Sequence, residues 1–210
     1  MFRILIADDH PIVRQGLRHI LEQSGSVRSI EEAENGREVL GKIRKTSFDV
    51  VLLDISMPGM NGLETLEEIK KVNAALPVLI LSMYPEEEYA VRALKAGASG
   101  YLTKKSAPGE LTTAVKKLAR GERYISPALA DFLAANLTED REKPLHETLS
   151  DRELQVLRMI VSGKTIKEIA AELSKSPKTI STFRSRVLHK MNMKNNAELY
   201  RYAMKNNLLD

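Results

Sequence analysis

Four short stretches carry side chains able to act together. Asp8 and Asp9 follow the apolar run 4–7, Asp54 ends the run that starts at Val50, Ser82 ends Val78-Leu79-Ile80-Leu81, and Lys104 follows Gly100-Tyr101-Leu102-Thr103. Adjacent carboxylates repel. With a third beside them they form an oxygen-rich pocket that becomes comfortable when a hard cation such as Mg²⁺ neutralises it. Asp54 has a plainer reading too, since Asp often caps the turn at a strand end, here before Met57-Pro58-Gly59. Against that reading stands convergence: an acid pair, a candidate nucleophile, a hydroxyl and an amine all fall at one end of predicted parallel strands.

The elements that must position them are legible. Residues 50–53 form an apolar, β-branched run without polar alternation, the pattern of a parallel strand covered on both faces. A carboxylate at the C-terminal end of such a strand faces the crevice where open α/β sheets bind ligands. Strands at 4–7, 29–33, 78–81 and 100–102 alternate with helices predicted over 11–23, 36–45, 62–72, 86–96 and 108–120, as a doubly wound sheet requires. In the first helix Ile12, Leu17, Ile20 and Leu21 are expected inward. His10 and His19, lacking a second His at ligand spacing, are expected to be structural or solvated.

Residues 1 to about 121 resemble the receiver domain of two-component response regulators, on Asp8-Asp9, Asp54 with Met57-Pro58-Gly59 and Gly62, Ser82, and Gly100-Tyr101-Leu102-Thr103-Lys104. The resemblance implies a five-stranded, flavodoxin-like parallel sheet. It also implies that Asp54 accepts a phosphoryl group from a histidine kinase. Mg²⁺ would be held by Asp9, Asp54 and the backbone carbonyl of Ser56, with Asp8 acting through water. Lys104 would pair with the phosphoryl group, Ser82 would donate a hydrogen bond to it, and Tyr101 would swing into the space that Ser82 vacates.

A chain of 210 residues suits two domains. Cysteine is absent, so there is no disulfide framework. With no N-terminal signal and no run of bilayer-spanning length, a cytoplasmic, soluble protein is expected. The net charge of +4 is unevenly placed, residues 145–210 carrying +5 and residues 1–144 carrying −1. Between 164 and 194 there are 8 basic residues against 2 acidic ones, which raises nucleic acid as a partner. Residues 126–137 predict one amphipathic helix, and the charged, apolar-poor stretch 138–144 reads as a linker. The expected division is therefore 1–121, a linker with a possible helix over 122–146, and a second domain over 147–210.

In that second domain helix starts are written plainly. Ser150-Asp151-Arg152-Glu153 and Thr165-Ile166-Lys167-Glu168 are capping boxes, and Ser176-Pro177 is an N-cap with proline at the first helical position. Helices over 150–161, 165–173, 176–191 and 195–206 follow, the second and third spaced as a helix-turn-helix. On the third, Ile180, Phe183, Val187 and Met191 share a core face. Hydroxyls and cations remain outward. They suit a major groove, although an ordinary solvated face is the alternative.

Residues 149–209 resemble the four-helix DNA-binding domain of the LuxR/NarL group, in the NarL/FixJ family. The resemblance rests on Leu149-Ser150-Asp151-Arg152-Glu153, Val156-Leu157, Gly163, Lys167-Glu168-Ile169-Ala170, Leu173, Lys178-Thr179-Ile180 and Lys190-Met191. By position, Ser181, Thr182 and Ser185 would face bases, and Lys178, Thr179, Arg184, Arg186 and Lys190 would lie near phosphates. Members often carry Lys or Arg where this chain has Ser181 and Ser185, which leaves room for water-mediated or shape readout. Apolar residues on the last helix suggest a homodimer on double-stranded promoter DNA, paired through Leu199, Tyr202 or Met204, with core packing the alternative for Leu199 and Ala203. Read together, the halves give a phosphorylation-switched transcription regulator rather than an enzyme. An aspartyl-phosphate phosphatase would also want a substrate pocket or cap, and a receiver with a protein-binding adaptor is the third class.

Overall fold

In the computed structural model of the chain, which describes residues 1–137, 144–206 and 208, the apolar runs of the first half become five strands. These are β1 (Phe2–Ala7), β2 (Val27–Ala33), β3 (Val50–Asp54), β4 (Val78–Ser82) and β5 (Gly100–Thr103). They lie in the order β2-β1-β3-β4-β5, every neighbouring pair parallel. β3 and β4 are buried at every position, so neither shows polar alternation. The edge strand β2 is half exposed and carries Glu31 and Glu32. Register gathers the chemistry: Ala7 pairs with Leu53, Asp54 with Leu81, and Ser82 with Thr103. Residues that end or follow these strands therefore reach one edge of the sheet.

Between strands run α1 (Pro11–Gln23), α2 (Gly36–Ile43), α3 (Gly62–Val72) and α4 (Glu86–Lys95), and α5 (Ala107–Leu118) follows β5. Leu17 and Leu21 of α1 and Leu111, Ala114, Val115 and Leu118 of α5 pack on Ile4, Ile6, Val50, Leu52, Leu79 and Leu81. Helix α2 packs against α3. One expectation for α1 is corrected: Ile12 is 83% exposed, while Arg14 is buried. At about 100° per residue, Ile12 stands roughly 140° from Leu17 and Arg14 roughly 60° from it, so the buried stripe takes in the arginine.

A sixth helix, α6 (Pro127–Leu137), packs on α4 and belongs to a first compact unit, Met1–Glu139. The sequence reading had placed it in a linker. What ties it down is polar. Tyr124 donates its N–H to the Ser99 carbonyl at 2.9 Å and bridges to Gly100. Ser126 caps the helix, its Oγ accepting from the Leu129 N–H at 3.1 Å while bonding the Glu86 carboxylate. The charged stretch 138–143, on which the boundary was expected, lies outside the described residues.

The second unit, Asp140–Asp210, opens with a 3-10 turn at Leu145–Thr148, which the sequence reading lacked, and continues as α7 (Asp151–Val161), α8 (Ile166–Glu172), α9 (Pro177–Lys190) and α10 (Asn196–Lys205). Both expected capping boxes form, at Ser150 with Glu153 and at Thr165 with Glu168. Ser176 caps α9 ahead of Pro177. Helix α7 is buried nearly all round and touches α8, α9 and α10. It is the core on which the helix-turn-helix α8–α9 rests.

The tightest backbone approach in the first unit lies beside β3. Asn61 accepts from the Glu64 N–H at 2.7 Å, and Glu64 returns a bond to the Asn61 N–H at 2.9 Å. Gly62 then starts α3 against the strand end, where an added Cβ would stand 2.0 Å from the Asp54 carbonyl oxygen and 2.7 Å from Ile55 Cα. Backbone cannot rotate aside as a side chain can. Gly62→Ala is therefore expected to cost about 3 kcal/mol or more in urea unfolding. Gly16→Ala, on α1 with nothing within 4 Å of its Cβ, should gain roughly 0.5–1 kcal/mol. Equal, small effects of the two would refute the constraint.

Candidate functional site

The strand-end residues meet. Asp54 and Asp8 are 2% and 1% exposed, and the Nζ of Lys104 lies 2.9 Å from Asp54 Oδ2 and 2.6 Å from Asp8 Oδ2. Lys104 is aimed by its own backbone, its N–H donating to the Ser82 carbonyl at 2.7 Å. Lys105 is exposed. Ligand atoms of Asp8, Asp9, His10 and Asp54 all fall within 4.8 Å of one another. His10, expected to be structural or solvated, is exposed and leans on the acid pair: its Nδ1 is 2.8 Å from Asp9 Oδ1 and 3.2 Å from Asp8 Oδ1.

Three carboxylates face one ammonium here, and the imbalance shows. Burial pushes the Asp54 carboxyl up from 3.8 to about 6, the nearby Asp8 adding to the rise while Lys104 and the Ser56 N–H oppose it. For Lys104 burial alone would lower the pKa, but Asp54 and Asp8 outweigh it and raise it. Lys104 meets Asp8 Oδ2 and Asp54 Oδ2 at ion-pair distance without hydrogen-bond alignment, and those two atoms and Asp9 Oδ1 are buried without a hydrogen-bond partner. Buried charges need compensation. Hard, clustered oxygens whose charge one ammonium offsets only in part are the donor set that fits a divalent cation of the magnesium kind.

Ser82 and Tyr101 stand behind the pocket, both completely buried. Ser82 Oγ accepts from the Tyr84 N–H at 3.1 Å, and the Tyr101 hydroxyl donates to the Tyr84 carbonyl at 2.9 Å. Burial holds the Tyr101 phenol well above the usual range. Two buried polar residues thus hold the backbone of Tyr84 on both sides of its Cα, one at the N–H and one at the carbonyl.

In the second unit α9 presents Lys178, Ser181, Thr182, Ser185 and Arg186 as exposed side chains, while Ile180, Val187 and Met191 are buried. Ser176, Lys178, Thr179, Thr182, Phe183 and Arg186 line a shallow groove. Other expected contacts have internal partners. Thr179 gives its N–H to Ser176 Oγ at 3.1 Å, Thr182 Oγ1 donates to the Lys178 carbonyl at 3.0 Å, and Arg184 Nε donates to Asn196 Oδ1 at 2.7 Å. Lys190 Nζ lies 2.6 Å from Glu153 Oε2, whose side chain is only 4% exposed, so this lysine bolts the end of α9 to the start of α7. On α10 Leu199 and Ala203 are buried, the core-packing alternative for both, and Leu199 is thereby removed from the pairing surface. Tyr202 is half-buried, its hydroxyl 2.9 Å from His146 Nδ1, and Met204 is 65% exposed.

Sequence reasoning missed Glu153 and Arg14. The signal for Glu153 was its capping box, which accounted for the residue although its Oε2 takes both the Ser150 N–H, at 2.8 Å, and the Lys190 ammonium, at 2.6 Å. For Arg14 the signal was a cation on the same helical stripe as Leu17 and Leu21.

Residues 4–116 match the family of response regulator receiver domains, and residues 147–203 the luxR family of bacterial regulatory proteins. Over 209 residues the chain is 35% identical to the response regulator UvrY of Escherichia coli (strain K12), with 99% of this chain and 96% of that protein covered. Over 211 residues it is 34% identical to the response regulator GacA of Pseudomonas viridiflava, covering 100% and 99%. Among solved structures it resembles RcsB from Salmonella enterica serovar Typhimurium bound to promoter P1flhDC in the presence of phosphomimetic BeF3-, at 30% identity and a TM-score of 0.68, covering 97% of this chain and 98% of that one. Another solved structure, at 29% identity, 97% and 98% coverage and a TM-score of 0.60, holds two RcsB dimers bound to two parallel DNAs.

The raised pKa of Asp54 has a stability consequence. A carboxyl that titrates at about 6 in the fold and near 3.8 unfolded contributes stability that is full below pH 4 and is lost as pH rises through 6; ionised, it costs on the order of 3 kcal/mol. In cation-free buffer Asp54→Asn should be about 1–3 kcal/mol more stable than wild type at pH 7.5 in urea unfolding, the gap closing towards pH 4.5. Millimolar Mg²⁺ should narrow it at pH 7.5 by stabilising the wild type. A gap that does not vary with pH would show the pocket is not strained by its charge.

Proposed function

The chain belongs to the response regulators that join a receiver domain to a LuxR-type DNA-binding domain, and from that premise we propose that Asp54 is the phosphoryl acceptor of a switch controlling promoter binding. The observation that supports this most is one ammonium, Lys104, shared between Asp54 and Asp8 in a buried pocket. In transfer from a phosphohistidine of a histidine kinase, an Asp54 carboxylate oxygen attacks phosphorus in line. The P–N bond breaks and the imidazole leaves with its electron pair. Lys104 stays within reach to pair with phosphoryl oxygens. Ser82, released from the Tyr84 N–H, can donate its hydroxyl to them. Burial excludes the water that would screen these contacts. Asp9, Asp54 and the Ser56 carbonyl, with Asp8 through water, would hold Mg²⁺, which supplies positive charge for the equatorial oxygens.

On α9 we assign Ser181, Thr182 and Ser185 to the base edges and Lys178, Thr179 and Arg186 to the phosphates, with Arg184 and Lys190 holding the helix in place. One such helix reads only a few base pairs, so two copies would occupy two half-sites. Exposed Met204, with Tyr200 one turn before it, is apolar surface that would pair them. No helix among the described residues is long and apolar enough to cross a membrane, and a cytoplasmic site of action accords with a DNA partner.

Incubation with acetyl phosphate and Mg²⁺ should add one phosphoryl group to Asp54, none to Asp54→Asn, and none without a divalent cation, as read by intact-protein and peptide mass. Lys104→Ala should slow labelling by about 10²-fold or more, and Lys105→Ala should not. Label on Asp54→Asn at wild-type yield would sink the assignment.

Salt titrations of promoter binding separate the roles on α9. Lys178→Ala and Arg186→Ala should each lower the slope of log K against log salt by about 1. Lys190→Ala should lower the unfolding midpoint and leave the slope unchanged, because its ammonium is already paired. In the same titrations Met204→Glu should abolish occupancy of the second half-site. Equal slope losses for Lys178 and Lys190 would show that the Glu153 pair opens on DNA.

A further inference from the structure

Arg14 is a buried cation that the phosphoryl chemistry does not use, yet it touches the pocket. Its side chain is 8% exposed. Nη1 donates to the Asp8 carbonyl at 2.7 Å, Nε to Glu32 Oε2 at 3.0 Å, and Nη2 to Glu34 Oε1 at 2.8 Å. From the other side the Asp8 N–H donates to the Ala33 carbonyl at 3.1 Å. The peptides on both sides of Asp8 are therefore held, the preceding one by β2 and the one shared with Asp9 by Arg14, itself anchored on Glu32 of β2 and on Glu34 just beyond. Glu32 is a sound anchor: burial would raise its pKa, but hydrogen bonds from Arg18 and Arg14 outweigh burial and hold it low.

We propose that Arg14 is a positioning residue for the acid pair, fixing the Asp8 carbonyl so that the Asp8 and Asp9 carboxylates face Asp54 and the pocket captures a divalent cation. The proposal rests on the cation-dependent reading of the pocket given above. Two mutually repelling carboxylates would relax apart if the peptide between them could turn. The fork of the guanidinium opposes that turn, because three donors in one plane meet three acceptors, the Asp8 carbonyl, Glu32 and the more exposed Glu34. Lysine would keep the charge at this position and lose the fork. The neighbouring Arg18 supplies the contrast: it also bonds Glu32, at 2.8 and 2.6 Å, but its further contacts are Glu22 and the Ile30 carbonyl, none of them in the pocket.

Mg²⁺ binding to the full chain, measured directly by titration calorimetry, tests this. Arg14→Lys should weaken Mg²⁺ about tenfold, and Arg18→Lys should stay within about twofold of wild type. In acetyl phosphate labelling, Arg14→Lys should need about ten times more Mg²⁺ for half-maximal rate, with the maximal rate largely restored at saturation. A purely structural arginine would lower the thermal midpoint and the labelled fraction without moving the Mg²⁺ midpoint. Glu34→Gln, which loosens one arm from an exposed position, should give a smaller shift in the same direction and keeps the test alive if Arg14→Lys does not fold. Mg²⁺ affinity in Arg14→Lys equal to wild type, or an equal loss in Arg18→Lys, would overturn the proposal. Intact Mg²⁺ binding with no label on Asp54 would instead strike the phosphoacceptor reading and leave this one standing.

Discussion

The receiver half depends on like charges confined at the end of a dry sheet. Asp8, Asp9 and Asp54 would separate in water, and the fold prevents it by giving each a backbone that cannot move. Asp54 ends a strand hydrogen-bonded on both sides, and Gly62 lets α3 start against its carbonyl. Asp8 is held between Ala33 and Arg14. The hydrophobic core supplies the rigidity, since a close-packed interior does not deform by fractions of an ångström at low cost. Lys104 compensates only part of the charge. The pocket is thereby strained in a defined direction, towards any cation or proton that enters.

Much of this was readable in sequence because each carboxylate closes a run of apolar residues. A stretch such as Val50-Val51-Leu52-Leu53 admits few structures other than a covered strand, and the residue after it must reach an edge. Capping boxes were readable for a similar reason, being local. What sequence hid was partnership between distant positions. Lys190 looks like a phosphate ligand until Glu153, 37 residues earlier, is seen beside it. Leu199 looks surplus on a short helix, yet α7 runs through the middle of its domain and leaves an apolar wall for it to cover. Residues 122–137 break the strand–helix rhythm, which suggested a linker; single side chains, Tyr124 and Ser126, tie them back to α5 and α4.

The second half solves another problem, presenting polar side chains on a helix that still folds. Short helices are marginal alone, and α9 must leave most of its surface hydrophilic. Its stability comes from its ends and one stripe. Ser176 and Pro177 define the start, Ile180, Val187 and Met191 fill the core, and Lys190 with Glu153 fixes the finish. Arg184 spends its guanidinium on Asn196 at the first turn of α10. Cations at these flanks therefore serve the helix, and those on its outward face, Lys178 and Arg186, are exposed. A count of positive charge does not separate the two. Burial and partners do.

Phosphorylation of such a pocket would deepen the imbalance before relieving it. Converting one carboxylate into an acyl phosphate exchanges a single charge for about two, so Lys104 cannot satisfy the new group and Asp8 together without further donors. The nearest buried hydroxyl is Ser82, whose oxygen now accepts from the Tyr84 N–H. Rotating it towards the phosphoryl group would strand that N–H, and a stranded buried donor costs about 1–3 kcal/mol. The peptide before Tyr84 would then have reason to turn, while the peptide after it stays held through its carbonyl by Tyr101. Ser82, Tyr84 and Tyr101 would then form one unit with two ways of satisfying its hydrogen bonds, and the charge on Asp54 would choose between them. Tyr84 also stacks on Tyr89, with ring centroids 4.9 Å apart. Movement of that peptide therefore reaches α4, and through Glu86 and Ser126 it reaches α6, the helix with which the described part of the receiver unit ends.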